Sequence, residues 1–517
     1  MNNMNNMNNK PRHPGVFAQK TPNKPAIIMG GSGQQISFGE FEEISCQIAH
    51  MMCQNGLSKG DRVAVLLENH PLYMPIAWGV FRAGLRFVAV ATHLTQKEID
   101  YILNDSGAAL FITSKAMEKT VLSLKMKNIS SENRFVTDGE IRGFNNLQER
   151  LSKQEKTGTI DQVEGIEMLY SSGTTGMPKG ILKPMPTGTF GVPSDGYKLT
   201  AKIYGFDEKT IYLSTAPQYH AAPLLFSLRT LRFGATVVIM EKFDAETSLR
   251  LIQKYKITHS QWVPTMFIRL LQLPEHTRLK YDLSSLNCVI HAAAPCPVEI
   301  KQQMLDWWGP IIWEYYGGSE GNGLTVIDSE EWLLQKGSVG KAKIGRIRIC
   351  GDDGEELSVG ETGLIYFSEG PIFEYNNDRI KTAESRNQYD WSTMGDIGHI
   401  NEGGYLFITD RKANMIISGG VNIYPQESEN RLLSHPEIRD VAVIGVPNSD
   451  FGEEVKGIVQ LINPEKAGED LAQELIEFCW ETVSKIKSPR SIDFVTDLPR
   501  RENGKLYKKL LKQQYWK

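Results

Sequence analysis

Between residues 235 and 315 short strand-like runs, most of them apolar, alternate with stretches of helical periodicity, and this alternation restricts the fold more than any other feature of the chain. The runs at 235–240, 258–263, 286–292 and 311–315 are strand-length, while 245–255, 265–271 and 298–308 space their apolar residues three and four apart. A strand that is apolar at nearly every position is stable only when both of its faces are covered, which is the situation of a parallel sheet between helices. The expected class is therefore α/β, with ligands at the carboxyl ends of strands. The run at 63–67 has the same character. Ahead of it, Ser37-Phe38-Gly39-Glu40 has the form of a capping box, followed by Phe41, Ile44, Ile48, Met51 and Met52 at helical spacing before Gly56.

With 517 residues the chain exceeds what one hydrophobic core usually serves, so more than one domain is expected. After about residue 340 the texture shifts to short strands and turns such as Gly351-Asp352-Asp353-Gly354 and Glu402-Gly403-Gly404, which predicts a β-rich subregion. Beyond Asp410 come strands at 441–446, 457–461 and 492–496 and a helix at 471–482, enough for a small α+β domain. We expect a disordered tail over 1–12, where MNNMNNMNNK offers no apolar run, a large domain over 13–409, a hinge at 410–414 and a small domain over 415–517.

Charge excludes some activities. The 57 basic and 61 acidic residues leave a formal net charge of −4, which provides no footing for nucleic-acid or anionic-membrane binding as the main function. No run approaches the ~20 apolar residues of a membrane-crossing helix. Six cysteines, Cys46, Cys53, Cys288, Cys296, Cys350 and Cys479, lack paired metal-ligand spacing and fit core thiols of a reducing compartment, so a cytoplasmic location is expected.

The strongest local signal is Tyr170-Ser171-Ser172-Gly173-Thr174-Thr175-Gly176-Met177-Pro178-Lys179-Gly180. Its glycines let backbone N–H groups close around a phosphate, its four hydroxyls can donate to phosphate oxygens, and Lys179 supplies countercharge. It is not a Walker A loop, because Pro178 precedes the lysine and no Ser or Thr follows it. A Gly/Ser/Thr stretch is more often a plain surface loop. Here the density of hydroxyls before Pro-Lys-Gly favours a polyphosphate clamp.

This segment resembles the Ser/Thr-Ser-Gly-Thr-Thr-Gly-x-Pro-Lys-Gly signature of the adenylate-forming superfamily, which includes acyl-CoA synthetases, luciferases and adenylation domains of peptide synthetases. Other motifs of that family recur in order from about residue 20 to 510. Tyr316-Gly317-Gly318-Ser319-Glu320-Gly321 is similar to its Tyr-Gly-x-Thr-Glu. The resemblance implies that Tyr316 and Gly317 border adenine, that Ser319 binds the α-phosphate, and that Glu320 is a magnesium ligand with a catalytic part. Hard carboxylate oxygen suits Mg²⁺, although a lone loop glutamate is more often just solvated. Ala293 and Ala294, in His291-Ala292-Ala293-Ala294-Pro295, resemble the small-residue segment on which adenine lies.

Trp391-Ser392-Thr393-Met394-Gly395-Asp396 is similar to the family's Trp/Tyr-x-Thr-Gly-Asp, with Met394 added. By resemblance Asp396 accepts the ribose hydroxyls, with Arg411 as its partner. Tyr219-His220 resembles the aromatic–histidine pair beside the acyl pocket, and His220 is taken as a catalytic-site residue. The following 221–233 contains Arg229 and Arg232 but no Asp or Glu, which favours a plain carboxylic acid over an amino acid. Near the end, Pro499-Arg500-Arg501-Glu502-Asn503-Gly504-Lys505 is similar to Pro-Arg-x-x-x-Gly-Lys, so Lys505 corresponds to the catalytic lysine.

The function implied is an ATP- and Mg²⁺-dependent acyl-CoA synthetase that forms acyl-AMP and passes the acyl group to coenzyme A. In that family the small domain swings between half-reactions, and Gly419 and Gly420 match the segment that faces CoA in the second one. Ala413 and Asn414 depart from the acidic or basic residues common at the hinge. The acid is expected to be a medium- or long-chain fatty acid or an alicyclic acid. The implied partners are that acid, ATP and CoA, with no nucleic acid and a homodimer left open. Two alternatives stand beside this one: a ligase that loads a carrier protein, and a nucleotide-binding regulatory protein without turnover.

Overall fold

The computed structural model describes residues 10–157, 164–171, 177–500 and 506–516. By its contacts the chain divides into two compact units, one made of Met1–Trp262, Leu273–Val289 and Ile372–Arg379, the other of Val263–Gln272, Ile290–Pro371 and Ile380–Lys517.

The first unit is α/β, as the alternation requires. One of its sheets runs in the order Glu374–Tyr375, Lys179–Leu182, Ile166–Ser171, Arg86–Ala89, Arg62–Leu66, Leu110–Thr113, Arg134–Val136 and Asn145–Asn146. Its pairs are parallel from Ile166–Ser171 onward and antiparallel at the Lys179–Leu182 end. Strands Arg86–Ala89 and Leu110–Thr113 are buried at every position, as strands covered on both faces are. Strands Pro25–Met29, Thr236–Ile239, Ile211–Ser214 and His259–Trp262 form a second parallel set, with Gln35–Ser37 antiparallel on Pro25–Met29. Helices Ala221–Arg232 and Ala245–Tyr255 make the crossovers that parallel strands need. The capping box forms as expected: Ser37 Oγ accepts from Glu40 N–H, and Glu40 reaches back to Ser37 N–H.

The chain enters this unit through helix Pro14–Lys20, whose N-cap is an uncommon one. His13 Nδ1 accepts from Gly15 N–H at 3.2 Å. That acceptor exists only on a neutral ring, and burial together with the Arg82 and Arg232 guanidiniums pushes the His13 pKa down to about 3. Between the unfolded value near 6.5 and this native value the unfolded chain binds more protons, so stability is lost as pH falls through that window. Urea melts should therefore show a lower unfolding free energy at pH 5 than at pH 7.5. His13→Asn, which can keep a cap acceptor without a titrating ring, should flatten part of that slope, and equal slopes in the two proteins would count against the assignment.

In the second unit strands Ile312–Tyr316, Leu324–Ile327 and Lys341–Ile344 pair antiparallel. A four-stranded antiparallel sheet follows in the order Arg346–Cys350, Gly363–Ser368, Ser392–Ile400 and Leu406–Arg411, which is the β-rich region expected after residue 340. The last sheet holds Val421–Ile423, Ile416–Ser418, Gly452–Leu461 and Ile438–Asn448, with Ser491–Val495 parallel on Gly452–Leu461. Its core, including Ile416, Val443, Val459 and Leu475, is drawn wholly from residues beyond 415.

A charged pair is sealed inside this unit. Lys301 Nζ lies 2.6 Å from Glu314 Oε2, both side chains buried, and the ammonium stands 4.8 Å from the Trp332 ring. Burial pushes the Glu314 carboxyl up while Lys301 pulls it back, and His291 beside it is held neutral far below its ordinary value. The pair ties helix Val298–Trp308 to strand Ile312–Tyr316, the strand that delivers Tyr316.

All six cysteines are free thiols. Among the described residues no helix is long and apolar enough to cross a membrane.

Candidate active site

The residues singled out from the sequence fall into the two units. Ser171, Lys179 and His220 belong to the first. Ala293, Ala294, Tyr316, Gly317, Ser319, Glu320, Asp396, Arg411, Gly419 and Gly420 belong to the second. Ser172, Gly173, Thr174, Thr175, Gly176 and Lys505 lie outside the described residues.

In the first unit Ser171 and Lys179 face each other as partners at the end of an antiparallel pair, so Lys179 opens a strand rather than a helix. That is the structural counterpart of the sequence difference from a Walker A loop, whose lysine opens a helix. Lys179 Nζ lies 5.3 Å from the Tyr375 ring centroid. His220 stands at the N-cap of Ala221–Arg232 without capping it through its side chain. Its ring is 4.7 Å from that of Tyr219 and 6.1 Å from that of His93. His93 was not foreseen from the sequence, because it comes from a loop after a different strand and no local pattern marks it.

In the second unit the register of one strand pair does much of the assembly. Asp396 and Arg411 are direct cross-strand partners between Ser392–Ile400 and Leu406–Arg411. Arg411 Nε donates to Asp396 Oδ1 at 3.0 Å, and Tyr316 O–H donates to Asp396 Oδ2 at 2.8 Å. Asp396 is buried. The Asp396 carboxylate holds the Arg411 guanidinium above its ordinary range, while burial and the same carboxylate push the Tyr316 hydroxyl well up. Both therefore remain protonated donors near neutral pH. A carboxylate has about four acceptor sites, so two protein donors leave capacity for hydroxyls of a ligand.

The connection after Tyr316 carries Gly317, Ser319 and Glu320, and Glu320 is buried. Gly318 makes that possible: a Cβ there would stand 2.6 Å from Glu320 Oε2 and 2.1 Å from Met394 Sδ. Met394, the extra residue of its motif, thus fills space against the glycine turn. Upstream, Ala293 has φ +77°, a left-handed conformation that a residue with a side chain rarely takes, immediately before Ala294. Such strain persists where the surroundings impose it and clusters at functional sites.

Gly419 (φ +57°) and Gly420 (φ +80°) form the two-residue turn between Ile416–Ser418 and Val421–Ile423. Positive φ at both central positions accounts for the glycine pair by backbone geometry alone. Around the turn, Ile417, Val421 and Phe451 are exposed, Gly419 N–H donates to the Phe451 carbonyl at 2.8 Å, and the Arg490 guanidinium stands 4.4 Å from the Phe451 ring. Phe451 and Arg490 carry no motif in this sequence and become visible only through these contacts.

An α/β scaffold that sets Ser171 opposite Lys179 at paired strand ends in one unit and gathers Tyr316 and Arg411 around the buried Asp396 in the other fits a nucleotide-using enzyme class. Comparison with known proteins names it. Residues 16–374 match the AMP-binding enzyme family, and residues 427–505 match the AMP-binding enzyme C-terminal domain. The chain is 30% identical over 501 residues to a feruloyl-CoA synthase of an Amycolatopsis species, covering 96% of this chain and 97% of the relative. It is 28% identical over 504 residues to a long-chain-fatty-acid–CoA ligase of Mycobacterium tuberculosis, with the same shares covered. The structure superposes with a TM-score of 0.79 on the o-succinylbenzoate CoA synthetase of Bacillus subtilis in complex with its acyl-adenylate intermediate, at 26% identity over 97% of this chain and 98% of that one. The chain belongs to the AMP-binding enzyme family, the adenylate-forming superfamily.

Proposed function

We propose that this protein is an AMP-forming acid:CoA ligase of the cytoplasm whose acid is a medium- or long-chain fatty acid or an alicyclic acid. The ligase activity is the common ground of relatives named for three different acids. The observation that carries the choice of a plain acid is helix Ala221–Arg232, which follows His220 and has Arg229 and Arg232 but no carboxylate that could hold a substrate ammonium.

A carboxylate acylates a thiol poorly, so it is first joined to AMP. In this reading Ser171 and Lys179 belong to the segment that grips the triphosphate, Tyr316 and the Ala293–Ala294 segment border adenine, Asp396 accepts the ribose hydroxyls, Ser319 binds the α-phosphate, and Lys505 offsets charge that gathers as pyrophosphate leaves. Mg²⁺ binds proteins through one or two carboxylates and otherwise through phosphate and water. The buried Glu320 fits that demand, and among the described residues no cluster of three or more His, Cys, Asp or Glu forms a separate metal site. The ion would neutralise phosphate charge when bound.

We put the hinge at 410–414, between a domain over 13–409 and one over 415–517. Supporting this, Lys412–Asn414 forms a single 3₁₀ turn, and Asp410 accepts from Asn414 Nδ2 at 2.9 Å and from Gln426 N–H at 3.0 Å, tying the turn to the start of helix Gln426–Leu433.

The test is pyrophosphate release across acids of graded chain length and ring content, with and without CoA. Fatty or alicyclic acids should turn over best, and preference for a short acid such as acetate would overturn the substrate reading. Gly420→Asn addresses the thiol step separately. Asparagine tolerates positive φ and meets no neighbour within 4 Å of its Cβ, so the hairpin should survive while its tip gains a side chain. Acyl-CoA formation should then fall about tenfold with acyl-AMP formation intact, a loss of about 1.4 kcal/mol of transition-state stabilisation. Equal rates of both steps in variant and parent would remove the turn from the CoA path.

A further inference from the structure

The strands Ile166–Ser171 and Lys179–Leu182, which end at Ser171 and Lys179, are fastened from behind by one carboxylate. Asp105 lies near the C-terminal end of helix Gln96–Ser106. Its Oδ2 accepts from Tyr170 O–H at 2.6 Å and from Asn376 Nδ2 at 3.2 Å, and its Oδ1 from Asn377 Nδ2 at 3.4 Å. The Asp105 carbonyl oxygen accepts from the same two amides, at 2.7 Å and 3.0 Å.

These donors lead to both strands. Tyr170 is next to Ser171 on one of them and opposite Gly180 on the other. Asn376 donates its backbone N–H to the Gly180 carbonyl at 2.8 Å, directly after Glu374–Tyr375 has paired with Leu182 and Ile181. Tyr375 in turn places its ring beside Lys179 Nζ. One aspartate therefore fixes Tyr170 directly, and Gly180 and Tyr375 through Asn376.

Three features mark the arrangement, the first of them against local preference. A carboxylate at the end of a helix faces the negative pole of the helix dipole. Asn377 has φ +55°, a left-handed conformation. Gly180 has no room for a side chain, since a Cβ there would come within 2.9 Å of Tyr170 Cζ and 3.0 Å of Met168 Cε. Burial, with Asp105 adding to it, pushes the Tyr170 hydroxyl up, so it stays a donor. A disfavoured helix-end carboxylate, kept where it meets both strands through donors shaped to reach it, indicates that the position of these strand ends matters beyond stability.

We propose that Asp105 is a positioning residue for ATP: through Tyr170 and Asn376 it sets the separation and height of Ser171 and Lys179, the two described ends of the polyphosphate clamp. This rests on reading 170–180 as that clamp. Asp105 touches no substrate in this scheme. Its effect should be specific to the nucleotide, because neither the acid nor CoA is assigned to these strands.

The experiment measures KM for ATP, acid and CoA in the parent, Asp105→Ala, Asp105→Asn, Tyr170→Phe and Lys179→Ala, with thermal melts alongside. Asp105→Ala and Tyr170→Phe should each raise KM for ATP about tenfold, while the other two KM values stay within about twofold. Asp105→Asn, which keeps an acceptor for the tyrosine, should recover part of the loss, and the variant combining Asp105→Ala with Tyr170→Phe should be no worse than Asp105→Ala alone. Tyr170→Phe removes only a hydroxyl and keeps the test open if the alanine variant folds poorly. A KM for ATP that is unchanged in Tyr170→Phe and in whichever Asp105 variant folds, or KM values for ATP and acid that rise by the same factor, overturns the proposal. If Lys179→Ala is impaired while Asp105 and Tyr170 variants behave as parent, only the positioning role falls. If Lys179→Ala binds and turns over ATP normally, the clamp reading falls and the proposal with it.

Discussion

Replacing Lys505 with alanine is expected to slow acyl-AMP formation by about 10²–10³-fold while leaving thioester formation from pre-made acyl-AMP within about twofold of the parent. The asymmetry follows from where charge moves. As the acid carboxylate attacks the α-phosphorus and pyrophosphate departs, negative charge accumulates on phosphate oxygens, and a preorganised ammonium in a site shielded from water lowers that barrier strongly. When a thiol attacks acyl-AMP the negative charge develops on the acyl oxygen and then on the leaving AMP, with no pyrophosphate to release. Rapid-quench measurement of each half-reaction separates the two. Equal losses in both would place Lys505 at the shared adenylate rather than in the first step alone, and loss in neither would remove Lys505 from the catalytic machinery. Lys505→Arg keeps the charge but changes its shape, so it should recover only part of the rate.

The second large effect is expected at Asp396. Asp396→Ala should lower kcat/KM for ATP by about 10²-fold, equivalent to ~3 kcal/mol. Three losses combine in that figure. The buried carboxylate accepts from Tyr316 and from Arg411, so its removal leaves a half-buried hydroxyl without its acceptor and a guanidinium without its counter-ion. It also removes the acceptor assigned to the ribose. Asp396→Asn keeps the shape and one acceptor oxygen, and its loss should be intermediate. Tyr316→Phe should show a smaller defect confined to ATP. Because the Tyr316 hydroxyl and the Arg411 guanidinium are both shifted upward, neither should contribute a pH dependence to kcat/KM for ATP between about pH 6 and 9. An unchanged KM for ATP in Asp396→Ala would sink the assignment.

Much of this was legible along the chain. Helices 245–255 and 298–308 form over the expected residues, Ala245–Tyr255 and Val298–Trp308, because amphipathic spacing decides which face turns inward. Strands appear where continuous apolar runs demanded cover on both faces. The expected strand at 441–446 is the centre of a much longer one, Ile438–Asn448, since its ends carry charged and polar residues that a search for apolar runs passes over. Motif residues could be named because each motif is contiguous. Their partners could not: Asp105 and Asn376 are far apart in sequence, as are Tyr316 and Asp396, and only the folded sheets bring each pair within hydrogen-bond distance.

The sequence by itself determined the α/β class, the adenylate-forming family and the residue types available for nucleotide chemistry, because periodicity and contiguous motifs are local properties. Tertiary structure alone decided that Asp396 sits opposite Arg411, that Asp105 links the two strands ending at Ser171 and Lys179, and that Gly419 and Gly420 answer first to a turn. Those outcomes depend on strand register and on burial, which shift every side chain by a whole face or remove it from water, and neither is written in any short stretch of residues.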